Sequence, residues 1–141
     1  MSTLFTRIID GEIPGRFVWR DDEAVAFLTI NPIAPGHTLV VPRAEVDHWV
    51  DLDPSLAQHL MAVAQVVGQA QMAAFSPTRV GMIIAGLEVP HTHLHLIPID
   101  TEADLSFAKA DPSPAAEALD DAAERLRSAL RSLGRPEVSD T

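Results

Sequence analysis

Apolar residues recur along the chain at two spacings, one typical of β-strands and the other of α-helices. Short runs rich in β-branched and aromatic residues, bounded by Gly, Pro, Asn or Asp, predict strands. They lie at about residues 16–20, 24–30, 37–42, 79–86 and 91–99. The run at 79–86 is almost continuously apolar, which predicts a buried strand.

Longer segments with apolar residues three or four positions apart predict helices. The longest covers 51–75, with Asp53 as the expected N-cap and Pro54 as the first helical residue. A last helix is predicted at about 114–133, and a short helical turn at 6–14.

The predicted order is a short helix, three strands, a long helix, two strands and a second long helix. Strands joined by tight turns, with the helices set apart, favour an α+β fold containing an antiparallel meander over a doubly wound parallel sheet. A chain of 141 residues is long enough to form one domain around a single core.

Composition narrows the classes of partner. The formal charge of −10 opposes binding to nucleic acid, which needs a basic surface, but is compatible with a small phosphorylated ligand in a locally positive pocket. The apolar runs are too short to cross a bilayer and the N-terminus lacks a signal-peptide pattern, so we expect a cytoplasmic protein without membrane contact. The chain has no cysteine, which excludes disulfides, thiolate chemistry and Cys-ligated metal.

Half of the six histidines fall in one predicted strand, within the sequence PHTHLHLIP at 90–98. Successive side chains of a strand point to opposite faces, so His91, His93 and His95 are predicted to share one face while the intervening residues point to the other. A row of three imidazoles needs an explanation, because Leu or Val would fill such a face without a desolvation cost.

Three interpretations of this row compete. The first is structural, with packed and hydrogen-bonded rings that have no chemical role. The second is a metal site: the outer Cα atoms, about 13 Å apart at roughly 3.3 Å per residue, are too distant to share one ion, but His91 and His93 with His37 are sterically feasible ligands. The third makes one imidazole a nucleophile that its neighbours assist. We favour the third, in phosphoryl or nucleotidyl transfer, because that chemistry needs mainly positioning and charge stabilisation.

The sequence HTHLHLI at 91–97 resembles the histidine triad signature, His-φ-His-φ-His-φ-φ, in which φ is apolar. Upstream, FTRIIDGEIPGRFVWRDDEAVAFLTINPIAPGHTLVVPR is similar to the N-terminal half of the nucleotide-binding (Hint-like) branch of the histidine triad (HIT) family, and AGLEVPHTHLHLIP is similar to its bacterial form. The resemblance covers about residues 3–99. It implies an α+β fold with a five-stranded antiparallel sheet, one long central helix and a C-terminal helix, divided into a HIT domain at 3–110 and a C-terminal helix and tail at 111–141.

The resemblance also implies a function. The protein would be a hydrolase or transferase that cleaves a nucleoside 5′-phosphate derivative (a phosphoramidate, an adenylate or a dinucleoside polyphosphate) at the α-phosphorus, without a cofactor, and would form a homodimer. His93 would attack to give a nucleotidyl-histidine intermediate, His95 would contact the phosphate and help to expel the leaving group, and His91 and His37 would complete the quartet by orientation and hydrogen bonding. The partner would be a purine nucleotide or nucleoside phosphate derivative. The residues expected to bind it are Phe27, Thr29, Ile30, Asn31, Gly86, Leu87 and Glu88.

Three polar features of the family pattern are missing, and Thr92 also replaces an apolar residue of the signature. Thr29 stands where relatives usually carry Asp, Leu87 replaces a common Gln, and the stretch 80–84 lacks an expected Asn. A threonine hydroxyl cannot provide the two acceptor oxygens with which a carboxylate holds the ribose. These departures motivate one alternative, a nucleotide-binding module with little turnover. The other alternative is a His-ligated metal hydrolase.

The zinc site of some bacterial relatives is expected to be absent. Thr3 and Thr6 occupy its Cys-x-x-Cys positions, and Glu45 stands where a ligand histidine would be. Without thiolates a structural zinc is not expected, so no metal site is predicted.

Overall fold

The computed structural model describes residues 2–141, and its regular structure consists of helices and one sheet. The helices are α1 (Leu4–Ile9), α2 (Pro54–Phe75) and α3 (Ala116–Ser132), with single 3₁₀ turns at Trp49–Asp51, Glu102–Asp104 and Phe107–Lys109. The strands are β1 (Phe17–Arg20), β2 (Ala24–Leu28), β3 (Thr38–Pro42), β4 (Arg79–Ile83) and β5 (Leu94–Ile99). Within the described part of the chain, no helix is both long enough and apolar enough to cross a membrane.

The five strands form an antiparallel sheet in the order β1-β2-β3-β5-β4. The predicted α+β class, with its five-stranded antiparallel sheet, long central helix and C-terminal helix, is therefore confirmed. The predicted meander holds only for β1, β2 and β3. After β3 the chain crosses through α2 to β4, and β5 then returns between β3 and β4. The strand that carries His95 consequently lies inside the sheet, with a neighbour on each side.

β4 forms an edge of the sheet, and the prediction that it is buried is wrong. Arg79 is exposed and the other four residues of the strand are only partly buried. An apolar run does not distinguish a central strand from an edge strand, because both can pack one face on a core.

β5 begins at Leu94, so that His91 and His93 precede the strand that was predicted to contain them. The ladder with β3 has no pair before Leu94. Instead, Thr92 donates two hydrogen bonds to the carbonyl of Val46, from its amide at 2.7 Å and from its hydroxyl at 2.8 Å. Hydrogen bonds to the segment after β3 thus replace the β3–β5 ladder at this point.

Two apolar clusters cover opposite faces of the sheet. The larger cluster joins α2 and α3 to one face and includes Leu94 and Leu96 of β5. The smaller cluster holds α1 to the other face through aromatic residues that include Phe5 and Phe27. Because side chains alternate along a strand, His95 lies on the face of α1.

α3 packs into the same apolar core as the helices and strands that precede it. Leu126 and Leu130 are fully buried in the larger cluster. The guanidinium of Arg127 also donates to the carbonyl of Phe17 in β1 at 2.9 Å. The C-terminal helix is thus packed on the sheet.

Two polar contacts place α2. The helix begins as predicted, with Asp53 as N-cap accepting a hydrogen bond from the amide of Ser55 at 2.9 Å. Near its other end, the buried amide of Gln71 donates to the carbonyls of Gly36 and Leu96, both at 2.9 Å. Each carbonyl belongs to the residue next to a histidine, so Gln71 joins the two histidine-bearing segments from behind the sheet.

Gly36 has a left-handed backbone with φ +88°, and a Cβ at this position would overlap the ring of Phe75. We expect Gly36→Ala to lower the free energy of unfolding by about 3 kcal/mol, since backbone strain of about 1–2 kcal/mol adds to overpacking of similar size. Gly134→Ala is the matched control, because Gly134 has φ +75° with nothing within 4 Å. It should lose only about 1 kcal/mol. Urea denaturation measures both changes, and equal losses would contradict the close packing of Gly36 on Phe75.

Candidate active site

The four histidines singled out by the sequence come together on the α1 face of the sheet. His37 directly precedes β3, His95 lies in β5, and His91 and His93 lie in the segment that leads into β5. The ring centroids of His93 and His95 are 4.9 Å apart, and those of His37 and His95 are 5.2 Å apart. β3 and β5 are neighbours in the sheet, which explains how residues 58 positions apart reach hydrogen-bonding distance.

The proton of His93 is placed by the backbone. Nδ1 of His93 lies 2.7 Å from the carbonyl oxygen of His91. A carbonyl can only accept, so Nδ1 carries the hydrogen, and Nε2 of the neutral ring carries a lone pair. His93 therefore holds an unprotonated nitrogen ready to act as a nucleophile.

His91 is fixed in the opposite tautomer, with its hydrogen on Nε2. Its Nε2 donates to the carbonyl of Pro42 at 2.7 Å. Its Nδ1 is then an acceptor, and it lies 2.6 Å from the hydroxyl of Thr3. Both nitrogens are satisfied while the side chain is fully buried.

His37 and His95 form a directed pair. The amide of Ile33 donates to Nδ1 of His37 at 3.0 Å, so the hydrogen of the neutral ring sits on Nε2. That Nε2 lies 2.9 Å from Nδ1 of His95, which must accept. Nε2 of the neutral His95 ring consequently carries a hydrogen and is a donor.

The two outward nitrogens complement each other. Nε2 of His93 offers a lone pair and Nε2 of His95 offers an N–H. Within residues 2–141, the fully buried side-chain atoms that lack a hydrogen-bond partner do not include either of these two nitrogens. Both therefore keep some contact with solvent, although His93 is only 5% exposed. A lone pair beside a proton donor is the pairing that nucleophilic displacement with leaving-group protonation requires.

Burial keeps these imidazoles neutral. Desolvation lowers the pKa of His37 to about 3 and that of His95 to about 4, and in each case a neighbouring imidazole adds to the effect. Desolvation also lowers the pKa of His91. It lowers that of His93 too, where the charge of Glu88 and the bond to the His91 carbonyl oppose the shift. All four rings are uncharged at neutral pH, as nucleophilic attack by a ring nitrogen requires.

A family model for the HIT domain matches residues 10–102. The chain belongs to the HIT domain family. An uncharacterised HIT-like protein of Methanocaldococcus jannaschii is 36% identical over 99 residues, which are 67% of this chain and 77% of that protein. The adenylylsulfatase HINT3 of Arabidopsis thaliana is 27% identical over 133 residues, 91% of this chain and 67% of that protein. A solved structure of a hypothetical histidine triad nucleotide-binding protein from Sulfolobus tokodaii matches with a TM-score of 0.82 and 26% identity, covering 93% of each chain.

Two aromatic rings that sequence reasoning missed flank the HIT histidines. Phe5 in α1 makes edge contacts with His93 at 4.8 Å and with His91 at 5.8 Å between ring centroids. Phe107, about half exposed, makes an edge contact with His95 at 5.0 Å. Phe107 is the one aromatic residue of the polar connector 100–113, and that isolation was the available signal.

The first group of predicted nucleotide-binding residues lies in and after β2. Phe27 is 3% exposed and its ring packs against Phe5, so it forms part of the buried layer beneath the site. Thr29 is partly buried, and its hydroxyl accepts from the amide of Asn31 at 3.2 Å. The side chain of Asn31 donates to the carbonyl of Asp111 at 3.0 Å and so holds the connector. Ile30 is 69% exposed.

The second group lies in the segment between β4 and His91. Gly86 has φ +81°, and a Cβ there would meet only the carbonyl of Asp47, at 3.8 Å. Leu87 is 95% exposed, so its side chain projects into solvent. Glu88 is exposed and acts on His93 through its charge. Of these three residues, Glu88 is the one with a charge effect on His93.

The ring nitrogens of the quartet do not form a metal-binding set. Both nitrogens of His91 and both of His37 are engaged by other groups. Across residues 2–141, no group of three or more His, Cys, Asp or Glu side chains is arranged to hold a metal ion. Thr3 and Thr6 present neutral hydroxyls that bond to their surroundings, so these residues do not fit the zinc site of the bacterial relatives.

We expect the free energy of unfolding to fall as the pH drops from about 6.5 towards 4. The unfolded chain protonates its histidines near pH 6.5. In the folded protein the pKa is about 3 for His37 and about 4 for His95. Between these values the unfolded state binds more protons, so the stability is complete above pH 6.5 and declines as the pH falls.

The variant His37→Asn isolates this effect. Its stability should change less steeply with pH between 4 and 6.5, by up to about 1.4 kcal/mol per pH unit relative to the parent protein. Carboxylates titrate in both proteins and cancel in the difference. Parallel curves from urea denaturation at each pH would mean that folding does not hold His37 neutral.

Proposed function

We propose that this HIT protein binds a nucleoside 5′-phosphate derivative and cleaves it at the α-phosphorus through a nucleotidyl-histidine intermediate. The observation that carries the proposal is the unprotonated Nε2 of His93 beside the N–H of His95, with 4.9 Å between the ring centroids. The adenylylsulfatase name of the Arabidopsis relative, which aligns with 91% of this chain, also supports a phosphate-cleaving role.

The reaction proceeds in two displacements. First, Nε2 of His93 forms a bond to the α-phosphorus while the bond from phosphorus to the leaving group breaks. Nε2–H of His95 donates a hydrogen bond to the leaving group, which takes its proton from solvent. Then water attacks the phosphorus, the P–N bond breaks, and the proton from the water is released to solvent, which balances the proton taken up in the first step. The products are the nucleoside monophosphate and the protonated leaving group, and one water is consumed.

The surrounding groups stabilise the intermediate. The His93 ring becomes positively charged when it bonds to phosphorus, and its Nδ1–H bond to the carbonyl of His91 strengthens as that charge develops. His37 supports His95 through the 2.9 Å bond between their rings. The HIT site therefore stabilises charge with neutral, pre-oriented groups.

The substrates we propose are phosphoramidates, adenylates and dinucleoside polyphosphates of a purine nucleoside. The base and ribose would lie over the segment from Phe27 to Asn31, where Ile30 offers an exposed apolar side chain. Gly86 would bring backbone N–H groups close to the phosphate, because it has no side chain.

We also propose a homodimer. A groove of about 490 Å³ between α2 and β4 is lined largely by apolar side chains, among them Met61, Val80 and Met82. Met61 is 58% exposed, and an apolar surface beside a sheet edge is suited to a second copy. Light scattering on a size-exclusion column measures the mass in solution.

A specific observation favours one alternative, a nucleotide-binding module with little turnover. The Thr29 hydroxyl already accepts a hydrogen bond from its own loop, and Leu87 faces solvent. Ribose and phosphate would then be held by fewer polar groups than in relatives with Asp and Gln at these positions. Such a module would bind the nucleotide without forming a covalent adduct.

The variant His93→Gly tests the proposed nucleophile. We expect turnover of adenosine 5′-phosphoramidate to fall at least about 10³-fold, because no other ring of the quartet has an unprotonated nitrogen that is free of a hydrogen-bond partner. Mass spectrometry of the quenched parent protein should detect a nucleotidyl adduct on His93. His48→Ala removes an exposed histidine outside the quartet and should retain the parent rate.

Two results would contradict this assignment. Unchanged turnover in His93→Gly would show that His93 is not the nucleophile. Nucleotide binding by the parent protein without adduct or turnover would favour the binding module. Loss of activity in chelator, restored by added metal, would favour the His-ligated metal hydrolase instead.

Thr29→Asp tests the assignment of Thr29 to the ribose. A carboxylate would accept hydrogen bonds from both ribose hydroxyls, and charge-assisted bonds contribute about 1.5–3 kcal/mol. We expect the affinity for AMP to rise about tenfold, measured by calorimetry. The affinity for the 2′,3′-dideoxy analogue is the control and should not rise. Equal changes for the two ligands would place the ribose elsewhere.

A further inference from the structure

The buried side of His91 is closed by a chain of hydrogen bonds that the proposed reaction does not use. Thr3, the N-cap of α1, places its hydroxyl 2.6 Å from Nδ1 of His91. The same hydroxyl accepts from the amide of Thr6 at 3.1 Å. The amide of Thr3 donates to the carboxylate of Glu45 at 2.8 Å. These contacts join α1, the segment after β3 and the histidine segment.

The direction of each hydrogen bond follows from the number of hydrogens that each group can donate. Nε2 of His91 donates to the carbonyl of Pro42, so Nδ1 has no hydrogen and needs a donor. Thr3 has one hydroxyl hydrogen, and the 2.6 Å bond to His91 takes it in preference to the 3.3 Å contact with Thr6. The side chain of Thr6 and the amide of Thr3 both lower the pKa of Glu45 by hydrogen bonding.

We infer that Thr3, held by Thr6 and Glu45, is a positioning residue that keeps His91 in its Nε2–H tautomer and so fixes the nucleophile His93. This inference rests on the proposed function for its catalytic consequence. The tautomer itself is a property of the protein without substrate, and it is measurable whether or not turnover occurs.

The effect reaches His93 by two routes. The His91 carbonyl is the acceptor for Nδ1–H of His93, at 2.7 Å, so rotation or withdrawal of His91 disturbs that bond. In addition, Phe5 follows Thr3 closely in α1 and its ring lies 4.8 Å from the His93 ring. Loosening the start of α1 therefore also loosens the ring that packs on the nucleophile.

Loss of the Thr3 hydroxyl would leave Nδ1 of a fully buried ring without a donor. A buried acceptor without a partner is unfavourable, so the ring would change its tautomer or its orientation. In this protein, hydrogen bonds fix the orientation of the His91 ring, as coordination to a metal fixes ring orientation in other proteins.

The first test is ¹⁵N NMR of the histidine rings in the parent protein at pH 7, without any added ligand. We expect His91 to show Nε2 protonated and Nδ1 unprotonated. In Thr3→Val the His91 signals should move away from this pattern, and Thr3→Ser should restore it. A charged or Nδ1–H His91 in the parent protein overturns the inference, and this result does not depend on any substrate.

The second test is kinetic. In single turnover with adenosine 5′-phosphoramidate, we expect Thr3→Val to slow formation of the His93 adduct about tenfold, with KM changed less than about twofold, and Thr3→Ser to recover the rate. Thr78→Val is the matched control, because the Thr78 hydroxyl bonds to Asp100 outside the site; its rate should equal that of the parent.

The outcomes separate the two proposals. A parent protein without adduct or turnover contradicts the proposed function, while its His91 tautomer still decides the role of Thr3. A folded Thr3→Val protein with the parent adduct rate, or with an unchanged His91 spectrum, overturns the positioning role. Failure of Thr3→Ser to recover what Thr3→Val loses does so as well, since the hydroxyl would then not be the active feature.

Discussion

Burial of imidazole rings is the constraint on which the site depends. A buried ring has one donor and one acceptor, and each needs a partner of the opposite kind. Here main-chain groups supply the deciding partners: the carbonyls of Pro42 and His91 and the amide of Ile33. A carbonyl only accepts and an amide only donates, so these contacts assign the ring hydrogens during folding. The lone pair of one ring and the N–H of its neighbour follow from that assignment.

The sheet makes this assignment possible because it brings separate segments to one place. Pairing of β3 with β5 sets Leu39 opposite His95 and brings His37, two residues before Leu39, within reach of the same ring. Gln71 ties both segments to α2 from the opposite face. The helices thus stabilise the register, and the register in turn sets the distance between the rings. Function in this HIT protein rests on main-chain geometry as much as on the identity of four side chains.

Much of this arrangement could be predicted from local sequence features. The spacing of the histidines placed them on one face, and the Asp53–Pro54 pair marked the start of α2. Other features depend on partners that are remote in sequence. Thr92 leaves the ladder because Val46 accepts its hydrogen bonds, and Thr3 reaches His91 across 88 positions. No local pattern carries such information, which is also why the position of β4 at the edge and the contact of Phe107 with His95 were not predicted.

The pairing of His37 with the amide of Ile33 has a consequence for the movement of protons. An amide hydrogen cannot leave at physiological pH, and the amide nitrogen has no lone pair with which to receive another. The His95–His37 relay therefore stops at the main chain and has no outlet through the protein interior. In the reaction that we propose, the leaving group would therefore take its proton from the solvent side, from substrate or from water, so each catalytic cycle would balance its protons at the mouth of the site.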